Sequence, residues 1–475
     1  MSERLSPADM AFFYLEGRTT PQHVGGIAIF EAPDGIDYER LVALLEERIS
    51  LVPRYRQRMR TVPGNVGAPV WVDDPSFDIT YHVRRSMLPR PGTDAALLEF
   101  AGRIMPRLLD RARPLWEMYL VEGLSEGRVA IVTKTHHSMV DGVGAIDIAQ
   151  VLLDASPEPR GCVESVWMPE PEPSAVRLVL DALIGDVRRP LDAAGHAVQD
   201  ARATVASAGH AVATACSMVT GAVRPARRSA LRVRLGEQRR IAVARTSLGA
   251  YRAVRAQFGG TVHDVALATV AGALRRWLIG RGDAPAPGAV VRALVPLSLA
   301  GDGSDAFATG GERSARVVGV VVPLPVGEAD PVRRLVLLQQ ELAARTIPGR
   351  AVGADALVAM SGFAPPTLHA LGARAASRLT RRTYDLVVTN VPGPQHALYA
   401  AGARMTEMFP VLPLAADQAL SIGMTSYDGG VYFGVHGDRD AVADIDALAH
   451  ALTDELDELV ALAGSVVAAE PRSRG

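Results

Sequence analysis

The chain has 475 residues, enough for two domains with substantial cores, and its 48% hydrophobic and 21% charged content is that of a globular rather than a disordered protein. A formal net charge of −2 excludes a global electrostatic commitment to nucleic acid. The two cysteines, Cys162 and Cys216, give neither a disulfide framework nor a zinc spacing, so no metal site and a reduced, cytoplasmic setting are expected.

The N-terminal residues 1–7 lack a basic stretch followed by an apolar core, so no secretory signal is expected. Residues 24–31 are apolar with β-branched members and predict a strand. Residues 38–52 carry Leu41, Leu44, Leu45 and Ile49 at helical spacing. A second helix is expected over 95–109, strands over 114–121 and 128–135, and renewed helical periodicity over 144–153. Strands interleaved with helices, with no Gly-rich phosphate loop after the first strand, point to a mixed α/β sandwich and away from a dinucleotide-binding fold.

Between residues 157 and 173 five prolines mixed with acidic side chains mark an exposed connector. The stretch 174–223 is rich in Ala and Val, and 203–223 holds no formal charge except on His210. Its length suits a membrane span, but Ala, Gly, Ser and Thr dominate, so a linker helix packed on the protein or lying on a membrane is expected instead. Eight arginines then crowd 224–245 (Arg224, Arg227, Arg228, Arg232, Arg234, Arg239, Arg240 and Arg245) against Glu237 alone. Two readings stand: a solvated face around a strand and loop, or attraction to an anionic bilayer or to CoA phosphates. Nucleic acid is disfavoured because no aromatic residues are interleaved. Lys134 is the sole lysine among 50 basic side chains.

The last part repeats the α/β pattern. Thr261 is a candidate cap for a strong helix reaching residue 279, and helices are also expected over 331–345, 355–379 and 441–462. Strands are expected over 289–297, 317–324, 386–390, 419–427 and 431–436, the last two joined by the hairpin signal Asp428-Gly429-Gly430.

The run His136-His137-Ser138-Met139-Val140-Asp141-Gly142 sits where a strand stops and a helix resumes. Strand alternation puts His137 on the side of Thr135 and Thr133, and His136 on the side of Lys134, so one histidine at most lines a given cavity. A neutral imidazole suits proton removal near pH 7. Asp141 is placed to hold a ring or an arginine, and Gly142 to permit a tight turn. No G-x-S-x-G elbow accompanies the histidines, which favours direct transfer to a bound alcohol over a serine nucleophile.

This run resembles the HHxxxDG signature of CoA-dependent acyltransferases and of peptide-synthetase condensation domains. The chain as a whole is similar to the bacterial wax ester synthase/acyl-CoA:diacylglycerol acyltransferase family. The likeness includes Leu5-Ser6-Pro7-Ala8-Asp9, Pro21-Gln22-His23-Val24-Gly25-Gly26, Pro69-Val70-Trp71-Val72-Asp73-Asp74-Pro75, Asp110-Arg111-Ala112-Arg113-Pro114-Leu115-Trp116-Glu117, Asn390-Val391-Pro392-Gly393-Pro394 and Ser426-Tyr427-Asp428-Gly429. It implies two chloramphenicol-acetyltransferase-like mixed α/β domains with a channel between them: 1–165 with the HHxxxDG motif, a helical linker over 166–240, and 241–475. It also implies that His137 is the general base, with His136 and Asp141 shaping the loop. Acyl-CoA is then a co-substrate with no further cofactor, and the acceptor is diacylglycerol or a fatty alcohol. Peripheral association with the inner membrane or with lipid droplets is expected. Trp116, Asn390, Gly393, His263 and Asp264 fall on positions expected to bind substrate, although Trp116 also reads as core packing and Asn390 as a turn former.

Three departures stand out. The family's Asn-Asp at the helix starting near Thr261 is His263-Asp264, its Gly-Asn before residue 317 is Ser314-Ala315, and the Asn expected after Leu420 is Ser421. Each replacement removes a carboxamide, which both donates and accepts. They keep open an acyltransferase for a different hydroxyl, and a weakly active or inactive relative that binds membranes or lipid droplets.

Overall fold

Ser6 caps a first helix, α1 (Pro7–Leu15), through a reciprocal box with Asp9. Then follow β1 (His23–Glu31), α2 (Tyr38–Arg48), the pair β2 (Gln57–Arg60) and β3 (Val70–Asp73), β4 (Val83–Met87), α3 (Asp94–Ile104), β5 (Trp116–Glu122) and β6 (Arg128–His136). Helix α3 stops short of the expected residue 109 because Pro106 has no N–H to extend the ladder and its ring crowds the preceding turn. The computed structural model describes residues 3–139, 152–159, 167–182, 230–299, 316–345 and 383–469. Asp141, Gly142, Cys162, Cys216, Arg224, Arg227, Arg228, Ser314-Ala315 and the segments 203–223 and 355–379 lie outside the described residues, as does the expected helix 144–153 apart from its last two residues.

The second half contributes β7 (Arg239–Ser247), α4 (Leu248–Phe258), α5 (Val262–Gly280), β8 (Val291–Leu299), β9 (Arg316–Leu324), α6 (Pro331–Arg345), β10 (Leu386–Pro392), β11 (Tyr399–Ala400), β12 (Ala403–Val411), β13 (Leu420–Tyr427), β14 (Gly430–Asp438) and α7 (Ile445–Ala469). Asp428 and Gly429 both take positive φ, as the hairpin signal between β13 and β14 requires.

Among the described residues these strands form two mixed six-stranded sheets, β11-β12-β1-β6-β5-β4 and β7-β14-β13-β10-β8-β9. The fold is thus the expected two-domain mixed α/β arrangement, but sheet membership does not follow the boundary at residue 241. Strands β11 and β12 come from the C-terminal half and join the first sheet, where β12 runs antiparallel to β1 and covers an edge that would otherwise be open.

Strand alternation gives each sheet face its partner. In the first sheet Phe30, Trp116, Met118, Leu120, Val129 and Ile131 pack with Leu41, Leu44 and Leu45 of α2. The opposite face buries Ile27, Ile29, Tyr119, Val121, Ala130 and Val132 with Leu97 and Ala101 of α3, and this cluster includes Ile241 of β7. One core therefore spans both domains. The approach is close: a Cβ on Gly434 of β14 would lie 1.8 Å from the carbonyl oxygen of Pro410 in β12. Arg245 of β7 reinforces the contact, binding Asp94 at 2.6 Å and Glu407 at 2.7 Å. In the second domain α5 is buried along most of its length in a core that includes residues of α6 and α7. Among the described residues no helix is long and apolar enough to cross a membrane.

Candidate functional site

The β1–β6 register puts His23 opposite His136 and Thr135 opposite Val24. The strand ends at His136, and His137 opens a short 3-10 turn, His137–Met139, with its backbone N–H donating to the Gln22 carbonyl at 2.8 Å. The two adjacent imidazoles therefore have different surroundings. His136 is 1% exposed, whereas His137 is half-buried. The His136 Nδ1 accepts the Ser138 backbone N–H at 3.1 Å and lies 2.7 Å from the Ser138 hydroxyl. Its proton is thereby confined to Nε2, which faces Glu16 Oε1 at 3.5 Å. Burial drives the His136 pKa down to about 3, so this ring is neutral. The His137 ring stacks on Phe12 of α1, with centroids 4.0 Å apart and planes at 21°.

Behind the pair lies a cluster that the sequence did not single out. His23 donates from Nδ1 to the Met105 carbonyl at 3.0 Å and faces Glu16 Oε1 with Nε2 at 3.2 Å. Arg111 binds the other Glu16 oxygen at 2.7 Å. Burial alone raises the Glu16 pKa, but the hydrogen bonds from His23 and Arg111 and the nearby His136 outweigh it and hold the carboxyl at about 2. Burial lowers the His23 pKa while Glu16 pulls it back up. His23 and Arg111 do fall inside family motifs, but Glu16 and Phe12 had no signal: no spacing rule connects Glu16 to residues 23, 111 and 136, or Phe12 to residue 137.

The other expected site residues are distributed differently. Trp116 is fully buried, donates its indole N–H to the Tyr55 carbonyl at 2.8 Å and stacks on His82 at 4.6 Å. Of its two readings the structure gives core packing, since no surface remains for a substrate. Asp264 accepts the Thr261 backbone N–H at 2.7 Å while its own N–H binds the Thr261 hydroxyl at 3.2 Å, so its carboxylate closes the N-terminal cap of α5 instead of facing substrate. Gly393 directs its N–H to the Ser426 hydroxyl at 3.3 Å, and a Cβ there would sit 2.2 Å from the Ser426 carbonyl oxygen. It shapes the turn after β10 rather than offering a donor to a channel.

His263 and Asn390 do come together. The Asn390 amide donates to His263 Nδ1 at 3.1 Å, linking the start of α5 to β10. That bond puts the His263 proton on Nε2, and burial lowers its pKa, so His263 has no free nitrogen lone pair with which to act as a base. The imidazole accepts from Asn390, one of the two roles open to the missing carboxamide. Ser421 lies opposite His436 in the β13–β14 register, and both side chains donate to the Leu412 carbonyl. Lys134 is 1% exposed, donates to the Arg107 carbonyl and lies 3.5 Å from Glu117; burial lowers its pKa to about 8. It is a buried structural cation on the His136 side of β6.

Three described arginines of the cluster are engaged in ion pairs. Arg232 binds Asp385 at 2.9 Å, Arg239 lies 3.6 Å from Asp438, and the exposed Arg245 joins Asp94 and Glu407. Arg234 is also exposed.

Cavities are formed among the described residues. A cleft of about 1100 Å³ between the β2–β3 pair and residues 167–181 is lined by Arg56, Trp71 and Trp167 but by none of the site histidines. A small apolar slot is lined by Gly26, Ala28, Ile131, Thr133, Met405 and Met408, on the β6 face that carries Thr133 and Thr135.

Residues 5–266 match the model of the wax ester synthase/diacylglycerol acyltransferase catalytic domain, and residues 315–460 match that of the WS/DGAT C-terminal domain. The chain is 33% identical to the probable diacylglycerol O-acyltransferase tgs1 of Mycobacterium tuberculosis, over 94% of each chain. It is 33% identical to tgs2 of the same organism, a probable enzyme of the same name, over 96% of this chain and 98% of the relative. Among solved structures, the wax ester synthase/diacylglycerol acyltransferase of Marinobacter aquaeolei VT8 superposes with a TM-score of 0.66 and 28% identity, covering 97% of this chain and 100% of that one. A starter condensation domain of rhizomide synthetase, 14% identical with a TM-score of 0.54 over 98% of this chain and 94% of that one, shares the fold.

Proposed function

As a member of the wax ester synthase/diacylglycerol acyltransferase family the chain is an O-acyltransferase acting on diacylglycerol or alcohols, and we propose that His137 is its general base and diacylglycerol its main acceptor. One observation carries the residue assignment. Of the two adjacent histidines, His136 is buried with Nδ1 bonded to Ser138 and Nε2 turned inward towards Glu16, while His137 keeps partial exposure.

In this reading acyl-CoA and the alcohol meet at His137 from a channel between the two domains. The imidazole takes the hydroxyl proton as the oxygen attacks the thioester carbonyl. The tetrahedral oxyanion collapses, the C–S bond breaks, and the departing CoA sulfur takes the proton back from the imidazolium. The products are the ester and free CoA, with no cofactor beyond the co-substrate. The apolar slot at Gly26, Ala28 and Met405 lies on the Thr133 face of β6, the strand that ends one residue before His137, which suits an apolar chain. A matrix of acyl-CoA lengths against diacylglycerol, fatty alcohols and other hydroxyl compounds tests the reading. Highest turnover is expected with a long-chain acyl-CoA and diacylglycerol, with wax ester as a lesser product. No transfer to any alcohol would overturn it in favour of a lipid-binding relative.

We also propose peripheral contact with a membrane or lipid-droplet surface through arginines of the 224–245 cluster, of which Arg234 is exposed. Replacing Arg224, Arg227, Arg228 and Arg234 with glutamine should weaken sedimentation with anionic vesicles, and more so at low salt. Binding that ignores both salt and these changes would rule out the electrostatic account.

A further inference from the structure

We infer that Glu16 is a positioning residue for the reaction: its buried carboxylate holds His136 and His23 together and thereby fixes the turn that carries His137. The inference rests on the reading of His137 as the base.

Glu16 follows directly on α1, and its side chain is 3% exposed. Three charged or titratable groups face it from three elements: His23 from β1, His136 from β6, and Arg111 from the segment before β5. Lys134, two residues before His136 on β6, adds positive potential behind them. The ring nitrogens are fully specified by their other partners. His136 accepts from the Ser138 N–H, so it offers its Nε2–H to Glu16. His23 must donate from Nδ1 because the Met105 carbonyl only accepts. Its Nε2 then faces a carboxylate oxygen at 3.2 Å. Glu16 Oε1 sits between the Nε2 atoms of two imidazoles whose strands are already in register.

The same short stretch of chain grips the catalytic turn a second time. Phe12, one helical turn before Glu16, stacks on the His137 ring, and the Glu16 backbone N–H donates to the Phe12 carbonyl at 3.1 Å. Arg111 clamps α1 from outside, with its guanidinium 4.0 Å from the centre of the Phe13 ring. Two adjacent histidines, one held by Glu16 and one stacked on Phe12, thus take their orientation from a single rigid piece.

Glu16→Met and Glu16→Gln keep nearly the same volume and separate hydrogen bonding from packing. Glutamine can present its oxygen at the Oε1 position and accept from His136 Nε2–H, with its nitrogen then facing Arg111; methionine cannot accept from His136 at all. In the full-length enzyme Glu16→Met should lower kcat about 10²-fold, the effect of roughly 1 Å of misplacement, with KM for acyl-CoA within about threefold of wild type. Glu16→Gln, which keeps the acceptor for His136 but not the one for Arg111, should recover part of that loss. A wild-type kcat for Glu16→Met, or an equal loss in a folded Glu16→Gln, overturns the proposal. His137→Ala assayed alongside keeps the two claims apart: its full activity would remove the base itself, whereas an inactive His137→Ala beside a fully active Glu16→Met would remove only the positioning. Selective ¹⁵N-histidine spectra of the wild type test the network even if Glu16→Met does not fold. The His136 proton is expected on Nε2 and a His23 proton on Nδ1; a His136 proton on Nδ1 would overturn the assignment.

Discussion

Replacing His137 with alanine should lower kcat by about 10²–10⁴-fold, the range for loss of a general base, with a smaller change in the KM for acyl-CoA. In energy this is roughly 2.7–5.5 kcal/mol of transition-state stabilisation. The substitution also removes the stack on Phe12, but an aromatic pair contributes only about 0.5–1.5 kcal/mol beyond its buried area, so lost packing cannot produce the expected drop. Circular dichroism and thermal melting on the same sample separate the two effects. A folded His137→Ala enzyme with unchanged kcat would end the proposed mechanism. The corresponding change at His136 should behave differently. Its ring bonds Ser138 and faces Glu16 with less than 2% exposure, so the loss should register in stability as well as in turnover.

The largest effect on stability is expected at Asp154. Arg48 of α2 and Asp154 form an ion pair at 2.9 Å with each side chain only 2% exposed. The Asp154 backbone N–H and carbonyl also exchange hydrogen bonds with Tyr399 of β11, both at 2.8 Å. Asp154→Ala leaves a guanidinium buried without its carboxylate, which should cost about 3–5 kcal/mol. Surface pairs such as Arg177 with Asp181, exposed at 69% and 54%, should contribute under about 1 kcal/mol. Urea unfolding followed by tryptophan fluorescence checks the contrast. The double change Arg48→Met, Asp154→Leu should recover most of the loss, because well-packed apolar residues can replace a buried pair at little net cost. A loss below about 1 kcal/mol for Asp154→Ala would mean that water or another acceptor solvates Arg48.

What the sequence revealed, it revealed locally. The β1 run is apolar with β-branched members, Thr261 with Asp264 is a capping box, and Asp428-Gly429 is a tight-turn signal; each needs only a few neighbouring residues to be read. The adjacent histidines could likewise be told apart by strand parity. Helix α1 escaped because its apolar residues do not form one clean stripe, and β12 because Met405, Met408 and Pro410 do not read as strand formers. Pro410 is tolerated where β14 brings Gly434 against its carbonyl. The Glu16 cluster was illegible for a different reason. It exists only once α1, β1, β6 and the Arg111 segment have assembled, and no spacing rule connects residues 16, 23, 111 and 136. Trp116 and Asp264 show the converse error: they occupy expected positions, but their polar groups are already engaged within the protein.

The pairing of β12 with β1 also bears on how the polypeptide emerges from the ribosome. Glu31 and its neighbours are synthesised early, yet their strand partner at 403–411 arrives roughly 380 residues later. At 5–20 residues per second that interval is on the order of 20–80 s. Throughout it the nascent first sheet presents an open β1 edge, the kind of surface on which chains pair wrongly. The molecule thus closes its oldest sheet with some of its newest residues, and truncation before Arg404 leaves that edge unpaired however well the first domain has otherwise packed.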